Sequence, residues 1–188
     1  MKLTRRIGNW RIGVIIKPFF FRTLYVNGIT SDVGFDEGKH VIFWDFTAEA
    51  TLEQIKHELM RIRKKFNLGK IYLFKSGNRS SYRAICLDKV DLKTMVNIIC
   101  RTDHTDIAFL KWTMIRRSAT IRVSPKYSEP IWFIGAIGKE NGNEKSYSHA
   151  KILNMLYGIP IPENCDKGKK IRWVCYETID RTIEQEQA

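Results

Sequence analysis

The chain has little that would tie it to a membrane, a metal cage or a disulfide framework. Its 188 residues contain no apolar run of the ~18 needed to cross a bilayer, so no membrane span is expected. Cysteine is scarce. Cys86, Cys100, Cys165 and Cys175 form no CxxC pair, which argues against a zinc knuckle. Cys165 and Cys175 flank a basic turn, but nothing else signals secretion, so free thiols are expected. Histidine is scarce as well: His40, His57, His104 and His149 are scattered and give no paired-histidine metal motif. Asp32, Asp36 and Glu37 lie in a polar loop, SDVGFDEGK, without the glycine spacing of a calcium loop. There is no internal repeat and no low-complexity segment. The opening MKLTRRIGNWRIGVIIKPFFF is broken by Arg11 and Lys17 and has no small-residue cleavage site, so a mature, non-secreted, cytoplasmic protein is expected.

Acidic residues are also few: 20 Asp and Glu stand against 32 Lys and Arg, a net charge of +12. A surplus of that size favours polyanions, nucleic acid first among them. Residues 1–39 read as N-terminal strands and a loop, with a turn at Asn27-Gly28. There Arg5, Arg6, Trp10 and Arg11 interleave cations and an aromatic, a pattern suited to phosphate contact and base stacking. An edge strand with solvated charges explains the same pattern.

Residues 40–126 organise the rest. Val41–Phe46 (VIFWDF) is an apolar strand. In the following segment Leu52, Ile55, Leu59, Ile62 and Phe66 step by three and four, a helical face, with Thr51 and Gln54 at capping-box spacing. KIYLFK and Tyr82–Leu87 form a hairpin across SGNRS. Asp91 caps a second helix, and Ser118–Ser124 closes the core with ATIRV. The order βαββαβ predicts an α+β fold: an RRM-like core with a mainly antiparallel sheet, both helices on one face and the other face free, plus N- and C-terminal β-rich additions. Residues 127–180 form a C-terminal annex in which GKENGNEK reads as a flexible turn. There YSHAKILNMLY reads as a helix with Ile152, Leu153 and Leu156 inward, and 181–188 as a frayed tail, all within a single domain.

Two carboxylates stand out. Asp45 ends a strongly apolar strand, where a charge needs a partner or an edge. Asp106 follows the second helix, where the chain turns back toward that strand end. Ser81 and Arg83 on the hairpin, with Arg122 and Lys126 on the last core strand, are spaced to meet phosphates. Two carboxylates beside Ser, Arg and Lys make the composition of a nucleoside triphosphate site with a divalent metal.

This order of elements and residues resembles the catalytic core of the archaeo-eukaryotic primase superfamily, the primase-polymerases of viruses, plasmids and other mobile elements. WDFT (Trp44–Thr47) sits where the acidic pair of that family belongs, SSYR (Ser80–Arg83) where its Ser-x-His belongs, and TDIAF (Thr105–Phe109) where its lone Asp belongs. The resemblance covers about residues 40–126. It implies template-directed nucleotidyl transfer with Mg²⁺ or Mn²⁺ held by Asp45 and Asp106. It also implies single-stranded DNA as substrate, a helicase or other replication protein as partner, and host cytoplasm as the location for a viral or plasmid-encoded chain. The chain departs from the pattern twice: Thr47 replaces the second acid and Arg83 the histidine. A degenerate or unorthodox catalytic site follows. The competing readings are a non-catalytic RRM-like nucleic-acid-binding module and a virion-associated basic protein. A rolling-circle nuclease shares the strand order but requires the paired histidines this chain lacks.

Overall fold

The computed structural model describes residues 2–7, 10–15, 23–34, 38–77, 81–125, 130–166 and 173–179, with side chains described within 27–34, 38–77, 81–125 and 130–166. The protein is α+β with antiparallel sheets and two compact units, Met1–Tyr25 with Glu177–Ala188, and Val26–Tyr176. In the first unit β1 (Lys2–Ile7) and β2 (Trp10–Ile15) form an antiparallel hairpin.

The second unit holds the core. Its elements in order are β3 (Thr23–Thr30, entering from the first unit), β4 (Asp32–Val33), β5 (Lys39–Asp45), α1 (Leu52–Lys65), β6 (Ile71–Ser76) and β7 (Ser81–Asp91). They continue with α2 (Leu92–Cys100), α3 (Ile107–Arg116), β8 (Thr120–Arg122), β9 (Ile131–Ile137) and α4 (Tyr147–Tyr157), and β10 (Trp173–Ile179) ends the series. Five strands make the main sheet in the order β4-β5-β7-β6-β9. The two helix starts legible in the sequence are built as expected. Thr51 and Gln54 close a reciprocal capping box on α1, and the Asp91 side chain accepts from the Thr94 N–H on α2.

The sheet is covered on both sides: the face that the two core helices leave is taken by the annex helix. Side chains alternate along a strand, so β5 sends Trp44 one way and Phe43 and Asp45 the other. Trp44 Nε1 donates to Thr102 Oγ1 just past α2 at 2.9 Å. Phe43 meets the ring of His149, and Phe74 on β6 meets that of Tyr157, both on α4. Val41 to Trp44 are fully buried as a result. The annex helix fills the face because Ile152 and Leu153 point inward; Leu156, expected with them, is exposed.

Three further differences have local causes. The chain does not turn at Asn27-Gly28, because β3 runs straight through them and pairs with β8, Gly28 opposite Arg122. A Cβ on Gly28 would stand 2.9 Å from the Ile121 carbonyl oxygen, so the glycine serves a close strand approach. The short last core strand, β8, therefore joins β3. Ser31 links the two layers: its N–H donates to Ala119 O and its carbonyl accepts from Val41 N–H, each at 2.8 Å. Thirdly, residues 107–116 form the helix α3 where a return to the sheet was expected.

GKENGNEK is an ordered loop built around a buried ammonium. Lys145 is 1% exposed, and its Nζ lies 3.3 Å from Asp88 Oδ1 and 3.4 Å from Glu140 Oε2. It donates to Asn141 Oδ1 and to the Asn143 carbonyl, each at 3.0 Å. Asp88 Oδ2 accepts from Gly69 N–H and from Asn143 Nδ2, each at 2.8 Å. Asn164 ties the annex to the same carbonyls. Buried charges in such a setting must be paired; here the bonds to Asp88 Oδ2 and Lys145 Nζ fasten the loop, while Asp88 Oδ1 faces the ammonium at 3.3 Å without a hydrogen bond.

Candidate functional site

The strand end at Asp45 is where the sequence placed the chemistry. Antiparallel register sets Asp45 opposite Arg83 on β7, and Arg83 opposite Phe74 on β6. Arg83 Nε donates to Asp45 Oδ1 at 3.3 Å, with the guanidinium side chain 11% exposed and the carboxylate 30%. Asp106 arrives from the other side. Its backbone N–H donates to the Asp45 carbonyl at 2.8 Å, while Thr47 N–H donates to His104 O at 2.9 Å. The segment before α3 is thereby laced to the end of β5.

Electrostatics follow from that packing. Burial pushes the Asp45 carboxyl above the ordinary carboxylate value; Arg83 pulls it back, the nearby Asp106 adds to the push, and Arg122 opposes it. Asp106 itself caps α3, its Oδ1 accepting from Ala108 N–H at 2.6 Å and Phe109 N–H at 3.2 Å. The set fits a divalent cation poorly. One Asp45 oxygen faces a guanidinium, one Asp106 oxygen is taken by helix N–H groups, and a fixed cation at 3.3 Å opposes a second one. Among the described residues, no three His, Cys, Asp or Glu side chains gather to hold a metal ion.

Arg122 donates from Nη2 to Ser76 Oγ and from Nη1 to Ser124 O. Ser76 pairs in register with Ser81, so Ser81 and Arg83 lie at one end of the main sheet, and Arg122, on β8 of the other sheet, reaches that end through Ser76. Arg83 and Arg122 line a small cavity of about 10 Å³ with Phe74, Ile121 and Tyr157, room for roughly one water. Arg83 Nη1 is buried there without a hydrogen-bond partner. A phosphate does not fit that space. Lys126 lies outside the described residues. Arg5, Arg6, Trp10 and Arg11 fall on β1 and β2, with Arg6 opposite Arg11 and Ile7 opposite Trp10 in register; their side chains lie outside the described ones.

Sequence reasoning missed a second surface. The edge strand β9 exposes Trp132 (55%), Phe133 and Ile134. Trp132 sits directly opposite Lys75. Arg63 at the end of α1 donates to the Lys139 carbonyl just beyond the strand at 3.0 Å, so the exposed Lys64 and Lys139 lie toward the Ile137 end of β9, the end away from Trp132. IWFIGAI reads in sequence as a short apolar strand or a buried segment; it is a strand, and its place at the sheet edge leaves Trp132, Phe133 and Ile134 exposed.

A buried Ser-His-Asp grouping is structural. Ser31 Oγ and Asp32 Oδ1 both approach His40 Nδ1, at 3.2 and 3.6 Å, so the ring cannot relay a proton between them. Ser31 is fully buried, and burial lowers the His40 pKa.

Among the described residues no helix is long and apolar enough to cross a membrane. No protein-family model, no curated protein and no solved structure matches the chain.

Proposed function

We propose that the protein binds single-stranded nucleic acid in a replication setting, on an RRM-like core arranged like that of a primase-polymerase, without metal-dependent chemistry at Asp45. The observation that carries this reading is Trp132, an exposed indole on the edge strand directly opposite Lys75, in a chain of net charge +12; the cationic end of α1 lies at the other end of that strand. A π-face with an ammonium opposite it suits a stacked base and its phosphate. The order β5-α1-β6-β7-α2 and the strand neighbours β5-β7-β6 support the RRM-like assignment. Arg83 supports the non-catalytic half: it gives Asp45 a built-in counter-ion in place of a metal.

The test is fluorescence anisotropy with a labelled oligo(dT) across a salt series. Trp132→Ala is expected to weaken binding by about 1–3 kcal/mol. Lys75→Ala and Lys64→Ala are each expected to flatten the slope of log K against log salt by about 0.7. Binding that ignores salt and is equal in all four proteins would sink the reading.

Template-directed nucleotidyl transfer is the second reading, favoured by the contact between Asp106 and Asp45. Primer extension with Mg²⁺ or Mn²⁺ separates the two. Product made by the wild type and lost in both Asp45→Ala and Asp106→Ala would establish the enzyme.

A further inference from the structure

The ten-residue helix α3 has apolar residues on every side, yet Thr113 alone among its residues is buried. Ile107 is 79% exposed, Ile115 60%, Trp112 52% and Met114 51%. A helix apolar all round is normally a covered helix. Its second property is charge of one sign. Lys111, Arg116 and Arg117 are exposed, and residues 107–117 contain no carboxylate. Ile107, Lys111 and Ile115 follow one another at i, i+4 and i+8, a single row with the ammonium between two aliphatic groups. Alongside it Trp112 carries the Arg116 guanidinium 5.1 Å from its ring centre. Trp and Arg together are the pair most often found at the centre of protein interfaces.

From this we infer that α3 docks an acidic amphipathic helix of a protein partner, with apolar anchors over Ile107, Trp112 and Ile115 and carboxylates over Lys111 and Arg116. Charge excludes the simplest alternative: a second copy packed α3 on α3 would oppose three cations with three cations. The apolar content argues against nucleic acid as the main occupant, because Ile107, Met114 and Ile115 make no phosphate contact, and the oligo(dT) arm of the test decides between them. A lipid surface requires apolar and charged residues on opposite sides of the helix, whereas Lys111 lies within the apolar row.

The test uses a fluorescein-labelled helical peptide carrying Leu at i, i+3, i+4 and i+7 flanked by Glu. Its controls are a scrambled peptide, the same peptide with Lys for Glu, oligo(dT), and vesicles containing phosphatidylserine. The expected result is that the Glu peptide alone among the peptides binds saturably, and that oligo(dT) binding is the same in wild type and in the α3 variants. Binding of the Glu peptide should weaken at least tenfold in Trp112→Ala and in Lys111→Glu/Arg116→Glu, and the charge-reversed protein should take the Lys peptide. All altered side chains are exposed, so an unchanged melting temperature is expected and separates lost docking from lost folding. No saturable binding of the Glu peptide, or equal affinity for the scrambled peptide, would overturn the inference. So would loss of oligo(dT) or vesicle binding in the same variants with the Glu peptide unaffected. Trp132→Ala, which tests the nucleic-acid surface, should leave peptide binding intact, so either reading can fail alone.

Discussion

Lys145 and Asp88, each 1% exposed, meet at 3.3 Å on the inner side of the 139–146 loop. The carboxylate stands on β7, in the middle of the main sheet, and the ammonium reaches it from the annex. Two segments 57 positions apart are thus fastened by a pair of opposite charges, with neutral amides bonded to Asp88 Oδ2 and to Lys145 Nζ.

Removing one partner leaves the other charge buried alone. Lys145→Met is expected to cost about 3–5 kcal/mol in urea unfolding. Lys145→Met combined with Asp88→Asn should recover part of that loss, since both charges then leave together. A double mutant no more stable than the worse single mutant would show that the pair does not act as a unit.

Gly69 is part of the same arrangement. A Cβ there would stand 2.8 Å from Asp88 Oδ1, 2.9 Å from Asn141 Oδ1 and 3.2 Å from Lys145 Nζ. Gly69→Ala must therefore spread the polar groups apart, at a cost of about 1–3 kcal/mol. A melting temperature equal to wild type would contradict this crowding.

His149 predicts an acid limit. It is fully buried, Nδ1 2.7 Å from Ser146 Oγ and Nε2 2.8 Å from Thr30 O, and burial lowers its pKa from 6.5 to about 4. The unfolded chain then binds the proton more readily than the folded one. The contribution is complete above pH 6.5 and is lost as pH falls toward 4, about 3 kcal/mol in all. His40, shifted the same way, adds to the slope. Urea midpoints measured from pH 7.5 to 4.5 should fall steeply for wild type and less so for His149→Gln.

Arg83→Met tests the opposite sign. Asp45 already titrates above its ordinary value, and losing its counter-ion raises it further. A carboxyl whose folded pKa is raised contributes stability at low pH and loses it as pH rises through that pKa. The variant should be less stable than wild type by about 1–3 kcal/mol at pH 7.5, and by less at pH 5. A constant gap across that range would mean that Asp45 gains solvent instead.

What the sequence shows well is what short-range chemistry decides. The caps at Thr51 and Asp91, the apolar face of α1 and the hairpin of β6 and β7 all depend on residues a few positions apart. The backbone of Asp106 meets that of Asp45 as expected, although the last core strand, whose pairing with the sheet underlies that expectation, joins β3 instead. What was not legible depends on distant partners. Asn27-Gly28 has the composition of a turn, and only Ile121 explains the glycine. The Gly, Asn, Glu and Lys of 138–145 look solvated until Asp88 is put among them. The helix α3 lacks the one-sided periodicity that marks a helix in sequence. Trp132 looks like core because nothing local reveals that β9 is the last strand of its sheet.

The layer joined through Ser31 bears on how the chain is made. Asn27 accepts from the N–H groups of Val123 and Ser124, and Ser31 donates to Ala119, across some ninety positions. Contacts so remote are slow to form, because a large loop must close before any bond is gained. On a ribosome the segment from 27 to 33 emerges early and finds its neighbours only after β8 has followed it, several seconds later at ~5–20 residues per second. Until then β3 lacks the strand that pairs along it, and a nascent chain stalled near residue 115 should be far more sensitive to protease than one released past residue 166.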